Sequence, residues 1–288
     1  MPDEPRTSLL DTQIPRGPVP VPADIQGLAR GERISPVWRN QLGGLTFRIG
    51  AGGPNERFAK WVSAGTPELD LAGEAARMRW VSGHSPAYPG DVARARRLRV
   101  PEVLEQGTSD AGSWLVTRAV AGASAIAPEN LARPVIAARA IGEGLRLLHD
   151  GLPAAECPFS WSIEQRMAAV HVRLEAGGGP ADWSPEFQGL TAATALVELA
   201  EIPEPERLVV CHGDPCAPNT LLDPGGQYAA HVDLDALGVA DPIADLAIAA
   251  WSTVWNYGPG YEDDVYAGYG MRPDPGLLRA YRLLWDLS

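Results

Sequence analysis

Lysine is nearly missing from this sequence: of 24 basic residues among 288, Lys60 is the one lysine and the other 23 are arginines. Cysteine is scarce as well. Cys157, Cys211 and Cys216 form an odd set without paired metal-ligand spacing, which argues against a disulfide framework and for reduced thiols. No run approaches the roughly 18 uninterrupted apolar residues that a membrane helix needs. The opening residues MPDEPRTSLLDTQIPRG have neither the basic start nor the apolar core of a signal peptide. These absences point to a cytoplasmic protein with no membrane partner. A net charge of −12 also makes nucleic acid a poor partner.

What is present is ordinary for a folded protein: 45% hydrophobic and 21% charged residues, on a chain long enough for two lobes with a crevice between them. The charge is divided unevenly. Residues 1–100 hold 14 basic and 10 acidic residues, whereas residues 101–288 hold 10 and 26. That asymmetry suits a nucleotide gripped by the first part and a cationic acceptor drawn to the second, because a cleft of one sign concentrates counter-ions. Plain acidic solvation accounts for it equally well.

Residues 1–24 carry six prolines, a density that blocks helix and ladder alike and predicts a disordered tail. After it, PVWRN, LTFRI and RFAKWV read as three antiparallel strands separated by the turn sequences QLGG and GAGGPN. PELDLAGEAARMRWVSG reads as a helix, with Leu71, Ala75, Met78 and Trp80 at near-helical spacing. HSPAYPGDVARARRLRVPEV reads as a basic connection, and VLEQGT with SWLVTRAV as two further strands. From Glu129 onward helices dominate, in ENLARPVIAARAIGEGLRLLHDG, SIEQRMAAVHVRLEAG, LTAATALVELAEI and the segments after Asp241. The strands RLVVCH and YAAHVDLD interrupt them. Strands first and helices second predict segregated α+β layers, not alternating β-α units.

Two segments carry the chemistry. Val209-Val210-Cys211-His212-Gly213-Asp214 is an apolar strand running into a turn that presents Asp214, with Asn219 five residues later, and a second strand leads to Asp233. Phosphoryl transfer asks for a carboxylate to orient the attacking hydroxyl and for oxygen ligands that hold magnesium against the phosphates. Asp214 supplies the first; Asn219 and Asp233 supply the second, since magnesium is a hard ion that takes carboxylate and amide oxygens. Lys60 stands out by composition. A chain that uses arginine everywhere else keeps one compact, rotatable ammonium at the end of RFAK, which suits nucleotide phosphates that a planar guanidinium would meet differently. The turn Gln41-Leu42-Gly43-Gly44 could lie over those phosphates, with Gly43 and Gly44 allowing close approach. A plain hairpin turn explains it as well.

HGDPCAPN followed by VDLDALGVADPIADLA resembles the catalytic and metal-binding loops of the aminoglycoside phosphotransferases, which share the bilobal fold of protein kinases. LRLLHDGLPAAECPF, EQRMAAVHVRLEAG and the ending YGMRPDPGLLRAYRLLWDLS resemble the 3′-acting members, and VVCHGDPC also resembles the 3″-acting streptomycin kinases. The likeness runs from about residue 36 to the end. It implies a nucleotide-binding lobe over residues 25–120, holding a five-stranded antiparallel sheet and one main helix. A mostly helical catalytic and acceptor-binding lobe would span 121–288. It implies Lys60 at the phosphates, Glu74 as the helix glutamate that pairs with it, Val120 at the hinge that meets the adenine, Mg2+ as cofactor and ATP or GTP as co-substrate. His212 reads as a structural hydrogen-bonding residue beside the catalytic turn, with a proton shuttle as the alternative, and His149 in GLRLLHDG matches a family position and reads as structural. Asp241 and Asp245 are expected to cap and brace the helix that follows them.

The acceptor side departs from the family. Aminoglycoside binders surround amino groups with carboxylates, whereas here Ser252 and Trp255 stand in WSTVWNYGPGY where acids would be expected. GGGPADWSPEFQ keeps Asp182 and Glu186, and Asp286 remains near the end as an amine contact. Trp251, Trp255, Tyr257 and Tyr261 could form an aromatic platform for a sugar ring or an apolar acceptor. The expectation is an α+β, kinase-like phosphotransferase acting on a hydroxylated, aminoglycoside-like acceptor. A kinase for a sugar, amino alcohol or metabolite is the first alternative, and a catalytically silent nucleotide-binding protein the second.

Overall fold

The computed structural model describes residues 14–15, 17–40, 42–66, 70–84 and 98–288. Most of the expected tail, and residues 85–97 of the expected basic connection, lie outside the described residues. The chain divides into two compact units, one containing the described residues up to Gly83 with Val100–Ala121, the other the remaining residues through Ser288.

The first unit opens with α1 (Ala23–Ala29), which begins directly after Pro22 and buries Ile25 and Ala29. Five strands follow: β1 (Ile34–Arg39), β2 (Leu45–Ile49), β3 (Arg57–Ser63), β4 (Val103–Thr108) and β5 (Gly112–Arg118). They form one antiparallel sheet in the order β1-β2-β3-β5-β4. Strand alternation sorts their side chains. Phe47, Ile49, Ala59 and Val116 join Ile25 and Ala29 in one apolar cluster. Val62 and Leu115 pack with Leu71 and Ala75 of α2 (Leu71–His84), so the helix read from spacing is docked by the residues that produced the spacing. Register places Lys60 opposite Thr46 on β2 and Leu115 on β5, in the middle of the sheet.

The second unit is helical, with short strands carrying the loops. β6 (Ala123–Ser124) and α3 (Pro128–Leu131) precede α4 (Pro134–Gly151). The single helix expected from Glu129 is therefore two. Pro134 lacks a backbone N–H and pushes Arg133 out of helical geometry, to φ −135° and ψ 55°. α5 (Ile163–Glu175) and α6 (Ala192–Ala200) come next, each capped by a hydroxyl: Ser162 accepts from the Gln165 amide and Thr191 from that of Thr194.

β7 (Val209–Cys211), β8 (Thr220–Leu222), β9 (Tyr228–His231) and β10 (Gly238–Ala240) form two small sheets, β10-β7 and β6-β8-β9. The expected strand YAAHVDLD stops at His231, because the Val232 amide turns to the Asn219 carbonyl and Asp233 adopts a φ of 65°. α7 (Pro242–Tyr257), α8 (Glu262–Tyr269) and α9 (Pro275–Leu287) complete the unit. Helices α4 and α8 approach so closely that a Cβ on Gly142 would stand 2.0 Å from the Val265 carbonyl oxygen, and one on Gly268 2.1 Å from that of Arg139. No described helix is long and apolar enough to cross a membrane.

Candidate active site

β7 is buried along its whole length, and its pairing with β10 fixes where the chain leaves the sheet. The loop that follows turns at Gly213, whose φ of 88° suits glycine. A Cβ there would also meet the Ala236 carbonyl oxygen at 2.2 Å, so this residue lets the loop bearing Asp214 pass against the loop bearing Asp233. His212 ties the same two loops: its Nε2 lies 3.1 Å from the Val232 carbonyl oxygen.

Asp245, fully buried on α7, anchors the turn. Its Oδ2 accepts the His212 N–H at 2.6 Å and lies 2.9 Å from His149 Nε2, while its Oδ1 accepts the Gly213 N–H at 3.0 Å. Burial acts to raise this carboxyl, yet hydrogen bonding to His149, the charge of the two histidines and the Gly213 amide leave it below its ordinary value. Asp245 therefore holds the loop before it, instead of bracing its own helix as its sequence context suggested. Asp241 does cap α7, accepting the Ile243 N–H at 2.8 Å. His149, Cys211 and Asp245 lie close enough together to suggest a metal cluster. These atoms already have hydrogen-bond partners, with the Cys211 thiol on the Asp241 carbonyl oxygen and raised by burial away from thiolate.

Asp214 is half-buried, and Asn219 Nδ2 donates to its backbone oxygen at 2.9 Å and to its Oδ2 at 3.2 Å. Oδ1 is buried with no hydrogen-bond partner. Burial pushes the Asp214 carboxyl up to about 6, opposed by the Cys216 thiol and Asn219 and reinforced by the negative charge of Asp233 and Asp245. The three residues expected to act together are thus brought together. Asn219 turns its amide nitrogen to Asp214 and hence its oxygen the other way, Asp233 is near enough for its charge to act on Asp214 and His212, and all the donors are hard oxygens of the kind magnesium takes.

In the first unit, Lys60 Nζ donates to Glu74 Oε1 at 2.7 Å and to Oε2 at 2.8 Å, and Glu74 is 1% exposed. Gly43 and Gly44 form the β1–β2 hairpin turn, where their amides donate to the Asn40 carbonyl and side-chain oxygens. Val120 follows β5, just after Ala119 donates its amide to the Glu56 carbonyl.

The acceptor candidates divide. Asp286 is engaged by Ser184, whose amide and hydroxyl each donate to a carboxylate oxygen at 2.7 Å. Asp182 accepts the Gly179 amide at 3.2 Å, and Glu186 is exposed. Trp255 stacks between Trp251 of its own helix and Trp285 of α9, with ring centroids 4.7 and 5.8 Å away. Trp251 is buried; Trp255 and Trp285 are partly open. Tyr257 and Tyr261 form a separate pair, and the Tyr257 hydroxyl donates to the Ala125 carbonyl. Sequence reading did not single out Trp285, and gave Asp245 a helix-bracing role in place of the loop-anchoring one.

Residues 37–283 match the model of the phosphotransferase enzyme family. The chain is 37% identical to the aminoglycoside 3′-phosphotransferase of Streptomyces fradiae over 84% of this chain and 90% of that protein. It is 34% identical to the streptomycin 3″-kinase of Streptomyces griseus, over 81% and 85%. Among solved structures it is similar to the aminoglycoside phosphotransferase APH(3″)-Id of Streptomyces rimosus in complex with ADP and streptomycin. That likeness has a TM-score of 0.67 and 29% identity, over 84% of this chain and 90% of that one.

Proposed function

The chain belongs to the phosphotransferase enzyme family, and from that premise we propose that it moves the γ-phosphate of ATP to a hydroxyl of an aminoglycoside, with Asp214 as the base. It has the bilobal, protein-kinase-like α+β architecture of its relatives and acts on a nucleotide and a hydroxylated small molecule. The observation that carries the assignment of the base is Asp214 itself. Its half-buried carboxylate is steered by Asn219 through Oδ2, on a loop anchored by Asp245.

An ionised Asp214 accepts a hydrogen bond from the acceptor hydroxyl, aims its oxygen lone pair at the γ-phosphorus and receives the proton as the ester forms. Lys60, held by Glu74, places an ammonium against the nucleotide phosphates. Residues 25–120 bind the nucleotide, with Val120 at the adenine and Gly43 and Gly44 near the phosphates; residues 121–288 carry the catalytic and acceptor groups. Asn219 and Asp233 would hold Mg2+, which when bound neutralises phosphate charge and orients the γ-phosphate. Such a reaction fits a cytoplasmic enzyme, where its nucleotide is available, and a role in antibiotic resistance.

The acceptor surface is less acidic than an amine-rich ligand would call for. Asp286 is occupied by Ser184, whereas Trp255 and Trp285 are partly exposed aromatic side chains, which favours stacking on the CH face of a sugar ring. Asp182 and Glu186 supply the remaining carboxylates. A nucleotide-consumption assay across aminoglycosides, other amino sugars and amino alcohols tests the assignment. Turnover should be highest with an aminoglycoside and should fall with Trp255→Ala through KM; turnover confined to simple amino alcohols would refute it.

A further inference from the structure

Two side chains of α7 reach the loop that follows β7. Asp245 bonds the amides of His212 and Gly213, ahead of Asp214. Ser252 is seven residues on, two helical turns, and so stands on the same face of the helix. Its Oγ accepts the Ala217 N–H at 2.8 Å, behind Asp214, and a second hydrogen bond from Asn256 Nδ2 at 3.1 Å. Asn256 Nδ2 also donates to the Ser252 carbonyl oxygen at 2.8 Å, which fixes the amide over the hydroxyl. Ser252 and Ala217 are fully buried. Ser252, which stands where the resemblance would put an acceptor-binding acid, holds backbone.

We propose that Ser252 is a positioning residue for phosphoryl transfer, closing a two-point clamp by which α7 sets the orientation of Asp214. The proposal rests on Asp214 acting as the base. Ala217 opens the short helical turn Ala217–Asn219, and Asn219 donates to both the backbone oxygen and Oδ2 of Asp214. Movement at Ala217 would thus reach the carboxylate through one short turn. Cys216 lies between Ser252 and Asp214. Burial and the Asp214 charge keep it a neutral thiol, so it adds no competing negative charge.

Thr253 provides the internal control. It is equally buried, on the same helix, and its hydroxyl bonds only the Ala250 carbonyl of that helix among the contacts seen. Ser252→Ala and Thr253→Val each delete one buried hydroxyl, but only the first releases the loop. The experiment compares both variants with the parent in acceptor-dependent turnover, nucleotide KM and thermal midpoint, and follows hydrogen exchange at the Ala217 amide. Ser252→Ala should lower kcat by at least about tenfold, because small displacements in phosphoryl transfer are costly, with nucleotide KM changed by less than about threefold. The Ala217 amide should exchange faster. Thr253→Val should lose thermal stability while keeping its kcat.

A Ser252→Ala enzyme with parental kcat, or a kcat loss matched by Thr253→Val, would overturn the proposal. If the parent turns over no acceptor, the functional reading fails separately. In that case faster Ala217 exchange in Ser252→Ala still supports the clamp, and unchanged exchange overturns it.

Discussion

Lys60 Nζ sits 2.7 Å from one oxygen of Glu74 and 2.8 Å from the other, so a single ammonium bridges a carboxylate that is almost wholly buried. The chain has no other lysine to offer, and β3 places this one in the middle of the five-stranded sheet. An arginine there keeps the charge but presents a wide planar fork, which would meet Glu74 and a phosphate in a different geometry from the compact ammonium.

Lys60→Arg is therefore expected to fold normally and to lose at least about tenfold in turnover or nucleotide efficiency, by the sensitivity of phosphoryl transfer to placement. Steady-state kinetics with varied nucleotide, alongside a thermal melt, makes the measurement. Parental activity would mean that charge alone suffices at this position.

Gly213→Ala and Gly43→Ala form a matched pair, with φ of 88° and 90°. Alanine at either position carries left-handed strain of roughly 1–2 kcal/mol. At Gly43 a Cβ meets nothing within 4 Å, whereas at Gly213 it meets the Ala236 carbonyl at 2.2 Å. Urea denaturation should show the Gly213 variant to be the less stable by roughly 1 kcal/mol or more, the usual cost of an added clash in packed surroundings, and its turnover should fall as well. Equal stability losses would show that the two loops separate without penalty.

Asp233→Ala removes a hard oxygen donor beside Asp214. Magnesium should tighten nucleotide binding to the parent, and this gain should largely vanish in the variant; calorimetric titration with and without magnesium reads both. Identical magnesium dependence in the two proteins would mean that Asp233 is not a ligand.

How much of this was legible in advance depended on whether the determining contacts were local. The His212–Asn219 segment could be read because its carboxylate and amide lie close together in sequence and match the loop of a known family, and the structure joins them through Asn219 Nδ2. The first three strands were marked by short runs rich in Val, Phe, Ile and Trp between turn sequences, and α2 by the near-helical spacing of Leu71, Ala75, Met78 and Trp80. β6, β8 and β10 were not read, since strands of two or three residues have no period to detect; β7, equally short, was legible from its apolar run Leu208–Cys211. Asp245 looked like a helix brace because its neighbours in sequence are helical; its actual partners, His149, His212 and Gly213, arrive through tertiary packing. The same holds for Asp286, whose carboxylate meets Ser184 from a distant loop, and for Trp285, which joins Trp255 across two helices.

The central claim is that Asp214 acts on the acceptor hydroxyl and not on the nucleotide, and Asp214→Asn tests it most directly. The substitution keeps size and polarity while removing the carboxylate that takes the proton. Turnover should fall on the order of 10² to 10⁴-fold with nucleotide affinity close to that of the parent, the pattern expected when a group acts in the transition state alone. An Asp214→Asn enzyme that retained more than about a tenth of parental turnover, outside the usual range for loss of a general base, would contradict the account.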